Sequence, residues 1–238
     1  MQLFFSPDIN EDTPQFTFPA DESRHIVKVL RKKEGDTLHI TNGKGFLFEA
    51  TIMATDIRKC AATIIKSTYY QKSEPCLHLA VAPTKMNDRF EWFLEKATEI
   101  GVSEITPIIC DHSERKVIKL ERMQKVLQSA MKQSLQFHLP VLNDPITAKA
   151  FIEKNSPITN KKDQFYIAHC EETKKVDLKE RLTPTKNAII LIGPEGDFSN
   201  SEIKTALKTG YEPVSLGENR LRTETAAIFA CATMKFIN

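Results

Sequence analysis

The sequence predicts an α/β protein in which a parallel sheet with helices on both faces is preceded by a small β-rich domain. Three observations carry this expectation. After Cys76, five short and nearly continuous apolar runs alternate with helical segments, as strands buried on both faces should. Before Tyr70 the pattern has period two instead, with a hairpin signal at Asn42-Gly43-Lys44-Gly45. Between them, Gln71-Lys72-Ser73-Glu74-Pro75 is polar and ends in proline, which marks a linker. The expected domains are residues 1–72 and 73–238.

In the first domain, Leu3 to Phe5 can open a sheet. Ala20 to Leu30 reads as a helix capped near Asp21 or Ser23, with Ile26, Val29 and Leu30 on one face. Thr37 to Thr41 and Phe46 to Met53 form a hairpin whose Asn and Gly accept the positive φ of a tight turn, and Cys60 to Tyr70 is a further strand. In the second domain the strands are Leu77 to Val81, Ile105 to Ile109, Phe165 to Ala168, Ala188 to Ile192 and Pro213 to Leu216. Asp88-Arg89-Phe90-Glu91 offers a capping box for a helix that carries Phe90, Phe93, Leu94, Ala97 and Ile100 and ends at Gly101. Leu120 to Phe137 makes a second helix, with Met123, Val126, Leu127, Ala130, Met131 and Leu135 inward. Ser199 to Glu202 is another capping box, opening a helix that stops at Gly210. The last helix, from about Glu224 to Phe236, is so apolar that burial on most sides is expected.

Composition narrows the function classes. The 238 residues are 41% hydrophobic and 27% charged, and no apolar run approaches the roughly 18 residues a membrane span needs. Met1-Gln-Leu-Phe-Phe lacks the basic and apolar regions of a signal peptide, so a cytoplasmic protein is expected. Five mutually remote cysteines, never as C-x-x-C, argue against a disulfide framework and a zinc site. None of the six histidines has a metal-ligand spacing, so no metal is expected. The dinucleotide-binding, P-loop and hydrolase-elbow motifs are absent. A net charge of +2 conceals two basic stretches. Arg24, His25, Lys28, Arg31, Lys32 and Lys33 occur with no acid between Ser23 and Lys33. Between His112 and Lys132, six basic residues including Arg115 and Lys116 meet only Glu114 and Glu121. Either stretch alone reads as a solvated helix face; both together are candidate phosphate contacts.

Two loops stand at the C-terminal ends of predicted strands, where open α/β sheets place ligands. Ile192 leads into Gly193-Pro194-Glu195-Gly196-Asp197-Phe198, which lets the backbone approach a ligand closely and sets Glu195 in a sharp turn. Leu216-Gly217 leads through Arg220-Leu221-Arg222-Thr223-Glu224-Thr225 to Ala226, a charged and hydroxylated entrance to the apolar last helix. Capping by Thr223 or Thr225 and an Arg222–Glu224 pair would explain that second loop without function; two such loops in adjacent βα units weaken that explanation.

The two loops, read as Leu191-Ile-Gly-Pro-Glu-Gly-Asp-Phe198 and Leu216-Gly-Glu-Asn-Arg-Leu-Arg-Thr-Glu-Thr-Ala226, closely resemble the paired motifs of the RsmE family. These are ribosomal RNA uridine N3-methyltransferases of the SPOUT superfamily. Glu22 to Arg31, Glu34-Gly35-Asp36 and Asn42 to Gly45 resemble the family's PUA-like RNA-binding domain, Lys85 to Gly101, with Glu95-Lys-Ala-Thr-Glu-Ile-Gly101, resembles its first core helix, and Ser113-Glu114-Arg115 resembles a stretch of its catalytic domain. The likeness spans almost the whole chain. It departs at Asp197, where the family has glycine, and after Gln133-Ser134, where a Gly-Arg element is replaced by Leu135-Gln136.

The resemblance implies a SPOUT-type trefoil-knotted parallel sheet, an exception to the rule against knots, behind a small PUA-like barrel. It implies S-adenosylmethionine held by His169, Ile192, Gly193, Pro194, Glu195, Gly196, Leu216, Gly217, Leu221, Arg222, Thr223, Thr225 and Ala226. It further implies a homodimer, with 16S ribosomal RNA or the small subunit as partner. N3 of a uridine is reachable only when the base is unpaired, and loss of its proton spreads charge onto O2 and O4. Arg222, or secondarily Arg115, is the candidate to stabilise that charge; Glu195 or Glu224 could take the proton or merely orient backbone. Candidate RNA contacts are Arg24, His25, Lys28, Arg31, Lys32, Arg115 and Lys116. Two other readings share the core: a non-catalytic RNA-binding module, and methyl transfer to a ribose 2′-OH or a guanine.

Overall fold

A computed structural model describes residues 1–157, 160, 163–172 and 174–238. The chain divides into two compact units, one of residues 1–72 with 131–139 and one of residues 73–130 with 140–238. A linear boundary after residue 72 thus leaves out the 131–139 segment, which a hydrophobicity pattern along the chain cannot assign.

In the first unit the elements are β1 (Leu3–Phe5), β2 (Gln15–Thr17), α1 (Ala20–Arg24), β3 (Thr37–Thr41), β4 (Phe46–Ala54) and β5 (Ala61–Tyr69). They form one sheet in the order β1-β3-β4-β5-β2, with β1 parallel to β3 and the other pairs antiparallel. Two register shifts between β4 and β5 bend the sheet around Phe4, Phe18, Ile26, Ile40, Phe48 and Ile52. The predicted helix over 20–30 is only α-helical to Arg24, and His25–Val29 is a π-helical turn, which leaves Val29 exposed. Neither Asp21 nor Ser23 caps it. The N-cap is Pro19, and the buried Ser23 hydroxyl donates to the Phe18 carbonyl (3.0 Å) and accepts from the Cys60 N–H (2.9 Å). In the hairpin loop the positive φ falls on Gly43 and Gly45. Asn42 serves through its side chain, which accepts from the Lys44 N–H (2.9 Å) and donates to the Ile9 carbonyl (3.2 Å).

Residues 137–139 pair with this loop, through the Gly45 N–H to the Phe137 carbonyl (2.8 Å) and the Leu139 N–H to the Gly43 carbonyl (2.9 Å). The second long helix therefore ends early. It spans Leu120–Gln133, and Leu135 is exposed with φ 56. Leucine in the left-handed region costs about 1–2 kcal/mol, and it stands where the resembled family places glycine.

The second unit contains β6 (Leu77–Val81), α2 (Asn87–Ile100), β7 (Glu104–Ile109), α3 (Leu120–Gln133) as far as Ala130, β8 (Val141–Leu142), β9 (Ile146–Thr147) and α4 (Ala148–Lys154). It continues with β10 (Gln164–Ala168), β11 (Val176–Asp177), α5 (Leu178–Arg181), β12 (Ala188–Ile192), α6 (Asn200–Thr209), β13 (Glu212–Ser215) and α7 (Thr223–Ile237). The strands run parallel in the order β11-β13-β10-β12-β6-β7-β8, with β9 also on β7. Every residue of β12 is buried, because alternate side chains meet helices on opposite faces. Ala80, Ile108, Ile167 and Leu191 pack with Phe151 of α4 and Ile203 of α6, while α2, α5 and α7 pack together on the other side.

One local expectation changes here. Helix α2 starts one residue before Asp88 with Met86 as its N-cap, and Glu91 pairs with Arg122 (2.7 Å) instead of closing a capping box. Helix α7 is buried on most sides, as its apolar sequence predicts: Ala227, Ala230, Cys231 and Met234 are among its buried residues, while Phe229 is 46% and Phe236 91% exposed.

Candidate active site

Parallel pairing brings the C-terminal ends of β10, β12 and β13 together. Ala168 pairs with Ile192 on one side and Val214 on the other, so the loops that follow all emerge at one edge of the sheet. They enclose two adjoining cavities of about 290 and 480 Å³. Ile192, Gly193, Pro194, Glu195, Arg222 and Thr223 line the first, and His169, Leu216 and Gly217 line the second. Leu221 and Ala226 border both. Gly196 and Thr225 line neither, and Thr225 points to solvent.

The loop after β12 owes its shape to missing Cβ atoms. A Cβ at Gly193 would stand 3.0 Å from the ring of the buried Phe198, and one at Gly196 would stand 3.2 Å from His112. These glycines admit a neighbouring side chain. The Thr223 hydroxyl donates to the Gly193 carbonyl (3.0 Å) and ties the start of α7 to this loop. Among glycines bordering the cavities, Gly217 has φ 110, and its N–H donates to the Ser215 hydroxyl (3.1 Å).

The candidate catalytic residues differ in what they hold. Glu195 accepts from the Lys85 N–H through Oε1 (3.0 Å), while its Oε2 is buried without a partner. Glu224 is buried in the first turn of α7, with Oε1 3.9 Å from Arg89 Nε and Oε2 unpartnered. Arg222, the N-cap residue of α7, is exposed on the cavity wall and has no side-chain partner among the described residues. Arg115 lies elsewhere: its guanidinium donates to the carbonyls of Thr84 (3.2 Å) and Lys85 (2.6 Å), and it borders a separate cleft with Lys116. A geometry of this kind fixes the loop after β6 and does not bring Arg115 to the cavity beside Arg222.

His169 is 7% exposed, and neither ring nitrogen has a partner. Burial, with help from the Lys175 ammonium, pushes its pKa below 6.5, so the ring is neutral at pH 7 and offers one donor and one acceptor. The unfolded chain then binds a proton before the folded one does, so His169 stabilises fully above pH 6.5 and loses that contribution as pH falls toward its lowered value. Stability should therefore fall between pH 7 and 5 by up to about 1.4 kcal/mol per pH unit, and a His169→Gln variant should fall less. Chemical denaturation across this range checks it; parallel profiles would contradict it. His78 is shifted in the same direction by burial, and its share remains in the variant.

Sequence reasoning missed Ala168, Cys170, Lys175, Asp197 and Arg220, which also line the cavities. Arg220 donates to the Glu195 carbonyl (3.3 Å) and joins the two loops. Its signal was its position in the second loop. The turn after β10 carries no motif. Among the described residues no group of three or more His, Cys, Asp or Glu could hold a metal, and no helix is long and apolar enough to cross a membrane.

Of the predicted RNA contacts, Arg24, Lys28 and Arg31 are exposed, and His25 and Lys32 are half-buried. His25 sits against Phe4 and within 3.0 Å of the Gln2 amide. In the second basic stretch Arg122, Lys125 and Lys132 are paired with Glu91, Glu121 and Glu22, which lowers its effective charge.

Comparison with known proteins gives the same picture for the whole chain. A family model described as an RNA methyltransferase domain matches residues 72–235, and one described as an RNA methyltransferase PUA domain matches residues 18–65. The chain is 34% identical over 247 residues to the ribosomal RNA small subunit methyltransferase E of Buchnera aphidicola, covering 98% of this chain and 92% of that one. Among solved structures, a probable rRNA-methyltransferase from Porphyromonas gingivalis is 40% identical with a TM-score of 0.92, covering 100% of this chain and 98% of that chain. A ribosomal RNA small subunit methyltransferase E from Neisseria gonorrhoeae, bound to S-adenosyl methionine, is 26% identical with a TM-score of 0.85, covering 99% and 97%.

Proposed function

Because this chain belongs to the ribosomal RNA small subunit methyltransferase E family, we propose that it transfers a methyl group from S-adenosylmethionine to N3 of a uridine in 16S ribosomal RNA. The observation that carries this reading is the unengaged Arg222 guanidinium on the wall of the first of two adjoining cavities, at the sheet edge where such folds bind ligands.

The residues fit the cofactor. The cavity volumes suit a ligand of this size, and the buried, unpartnered His169 nitrogens need a polar partner that such a ligand would supply. His169, Gly193, Pro194, Leu216, Gly217, Leu221, Thr223 and Ala226 would hold it, largely through backbone groups. When bound, S-adenosylmethionine supplies an electrophilic methyl group with a neutral thioether as leaving group. Arg222 would face the uracil and stabilise the charge that develops on O2 or O4. Glu195 Oε2, unpartnered at the cavity, is the better placed of the two carboxylates to accept the N3 proton, because Glu224 does not line the cavity.

The target base would be unpaired or flipped, so RNA must be gripped elsewhere. The exposed Arg24, Lys28 and Arg31 support a role for the first unit in that grip. Replacing Arg24, Lys28 and Lys32 together by glutamine should weaken RNA binding and lower the slope of log K against log salt by up to about 2, with cofactor affinity unchanged. Arg31 is left in place because its φ of 54 would confuse the result. Filter binding at several salt concentrations checks this; an unchanged slope would remove the helix from the grip.

A homodimer is part of the reading, supported by Trp92 on α2, 45% exposed, and by exposed Phe229 and Phe236 on α7. Acting on the small subunit would place the protein in the cytoplasm. The test of function is transfer of labelled methyl from S-adenosylmethionine to small subunits that lack the mark. Cofactor binding without transfer would favour the non-catalytic reading.

A further inference from the structure

We propose that Asp197 and Lys175 are positioning residues that clamp residues 168–171, which through Ala168 and Cys170 form part of the wall shared by both cavities, and thereby set cofactor affinity. This rests on reading those cavities as the S-adenosylmethionine site.

Ala168 and Cys170 line both cavities, and the buried His169 stands between them. The segment leaves the end of β10, so its direction depends on what holds its backbone. Two opposite charges do so. The Cys170 N–H donates to Asp197 Oδ2 at 2.7 Å. The Lys175 ammonium donates to the carbonyls of His169 (2.7 Å) and Glu171 (2.6 Å). Each contact is charge-assisted, hence short and about twice as strong as a neutral one. A carboxylate thus holds the donor of the wall from the side of the first cavity, and an ammonium holds its acceptors from the side of the second.

Asp197 is itself held. Its N–H donates to the Pro194 carbonyl (2.9 Å), its carbonyl accepts from His112 Nδ1 (3.1 Å), and its φ is 63. Aspartate is among the few residues that tolerate this conformation. Glycine would make the same turn, but it would leave the Cys170 N–H without its carboxylate. Residue 197 therefore does two separable things: it closes the turn after β12, and it fixes the wall opposite.

The separation makes the test decisive. Asp197→Gly keeps the backbone conformation and removes the carboxylate, Asp197→Ala removes both, and Asp197→Asn keeps both the conformation and an acceptor. Amide hydrogen exchange at Cys170 in the cofactor-free protein and calorimetric affinity for S-adenosylmethionine are measured on each, with kcat at saturating cofactor. Asp197→Gly and Asp197→Ala should exchange about tenfold faster at Cys170 and bind the cofactor about tenfold more weakly, with kcat within about twofold of the parent. Asp197→Asn should restore most of both, and Lys175→Met should weaken affinity in the same direction. Unchanged exchange at Cys170 in Asp197→Ala would overturn the clamp, and faster exchange with unchanged affinity would overturn its role in binding. A parent protein that binds no S-adenosylmethionine would instead overturn the functional reading, and the exchange measurement would still decide whether the clamp exists.

Discussion

Replacing Arg222 by alanine is expected to lower kcat for methyl transfer by about 10²- to 10³-fold, while the affinity for S-adenosylmethionine changes by less than about threefold. The asymmetry follows from what the side chain touches. Its guanidinium has no partner among the described residues, so its removal breaks no contact that shapes the cavity. Its backbone conformation, φ −72 and ψ 156, is one alanine adopts readily, and the carbonyl that accepts the Ala226 N–H at 2.8 Å is unaltered. On the proposed reading, what is lost is the positive charge that would face the substrate oxygen as it gains charge. Arg222→Lys should recover only part of the rate, since a point charge does not reproduce the planar donors. Single-turnover kinetics with saturating cofactor separates the chemical step from binding. Equal losses of affinity and rate would assign Arg222 to the cofactor instead.

Gly193→Val is expected to abolish cofactor binding and to destabilise the fold by roughly 1–3 kcal/mol. Its side chain would begin 3.0 Å from two ring carbons and 3.2 Å from the backbone nitrogen of Phe198. Phe198 is 3% exposed in the cluster that includes Phe151, Leu191 and Ile203, so it has no space to retreat into. Relief can come only by moving residues 193–198, which carry Pro194, Glu195 and the Asp197 carboxylate. Gly193→Ala should show a weaker version, and adding Phe198→Leu to it should recover part of the binding by shortening the opposing ring. Calorimetry and denaturant unfolding on the same samples test this. Normal binding by Gly193→Val would mean that the loop after β12 is not the cavity wall that matters.

The sheet was legible because its central strands are buried on both faces, which leaves continuous apolar runs such as Ala188–Ile192. The loops of the candidate site were legible for a different reason. Gly193, Pro194 and Gly217 are residues that turns demand, and charge collected at Arg220, Arg222 and Glu224 is unusual before an apolar helix. Of the strands of two or three residues only β1 was legible, from its apolar Leu3-Phe4-Phe5; β2, β8, β9 and β11 were invisible because no period can be read from so few positions. The short helices α4 and α5 escaped for a related reason. Where a tertiary partner decides, local pattern misled. Glu91 fits a capping box by spacing but meets Arg122, and Leu135 fits a helical stripe but lies past the turn at which the chain leaves the helix. Arg115 was beyond reach in the same way, since its partners are carbonyls about thirty positions away. The wall after β10 is built from backbone groups held by Asp197 and Lys175, and backbone groups leave no signature in a sequence.

The reaction itself is tested most directly by nucleoside mass spectrometry of 16S ribosomal RNA from cells with the gene deleted, and from the same cells after the purified protein and S-adenosylmethionine are added to their small subunits. N3-methyluridine missing from the first sample and present in the second is the expected result. N3-methyluridine retained after deletion, or a methyl group appearing on a ribose or a guanine, would contradict the account.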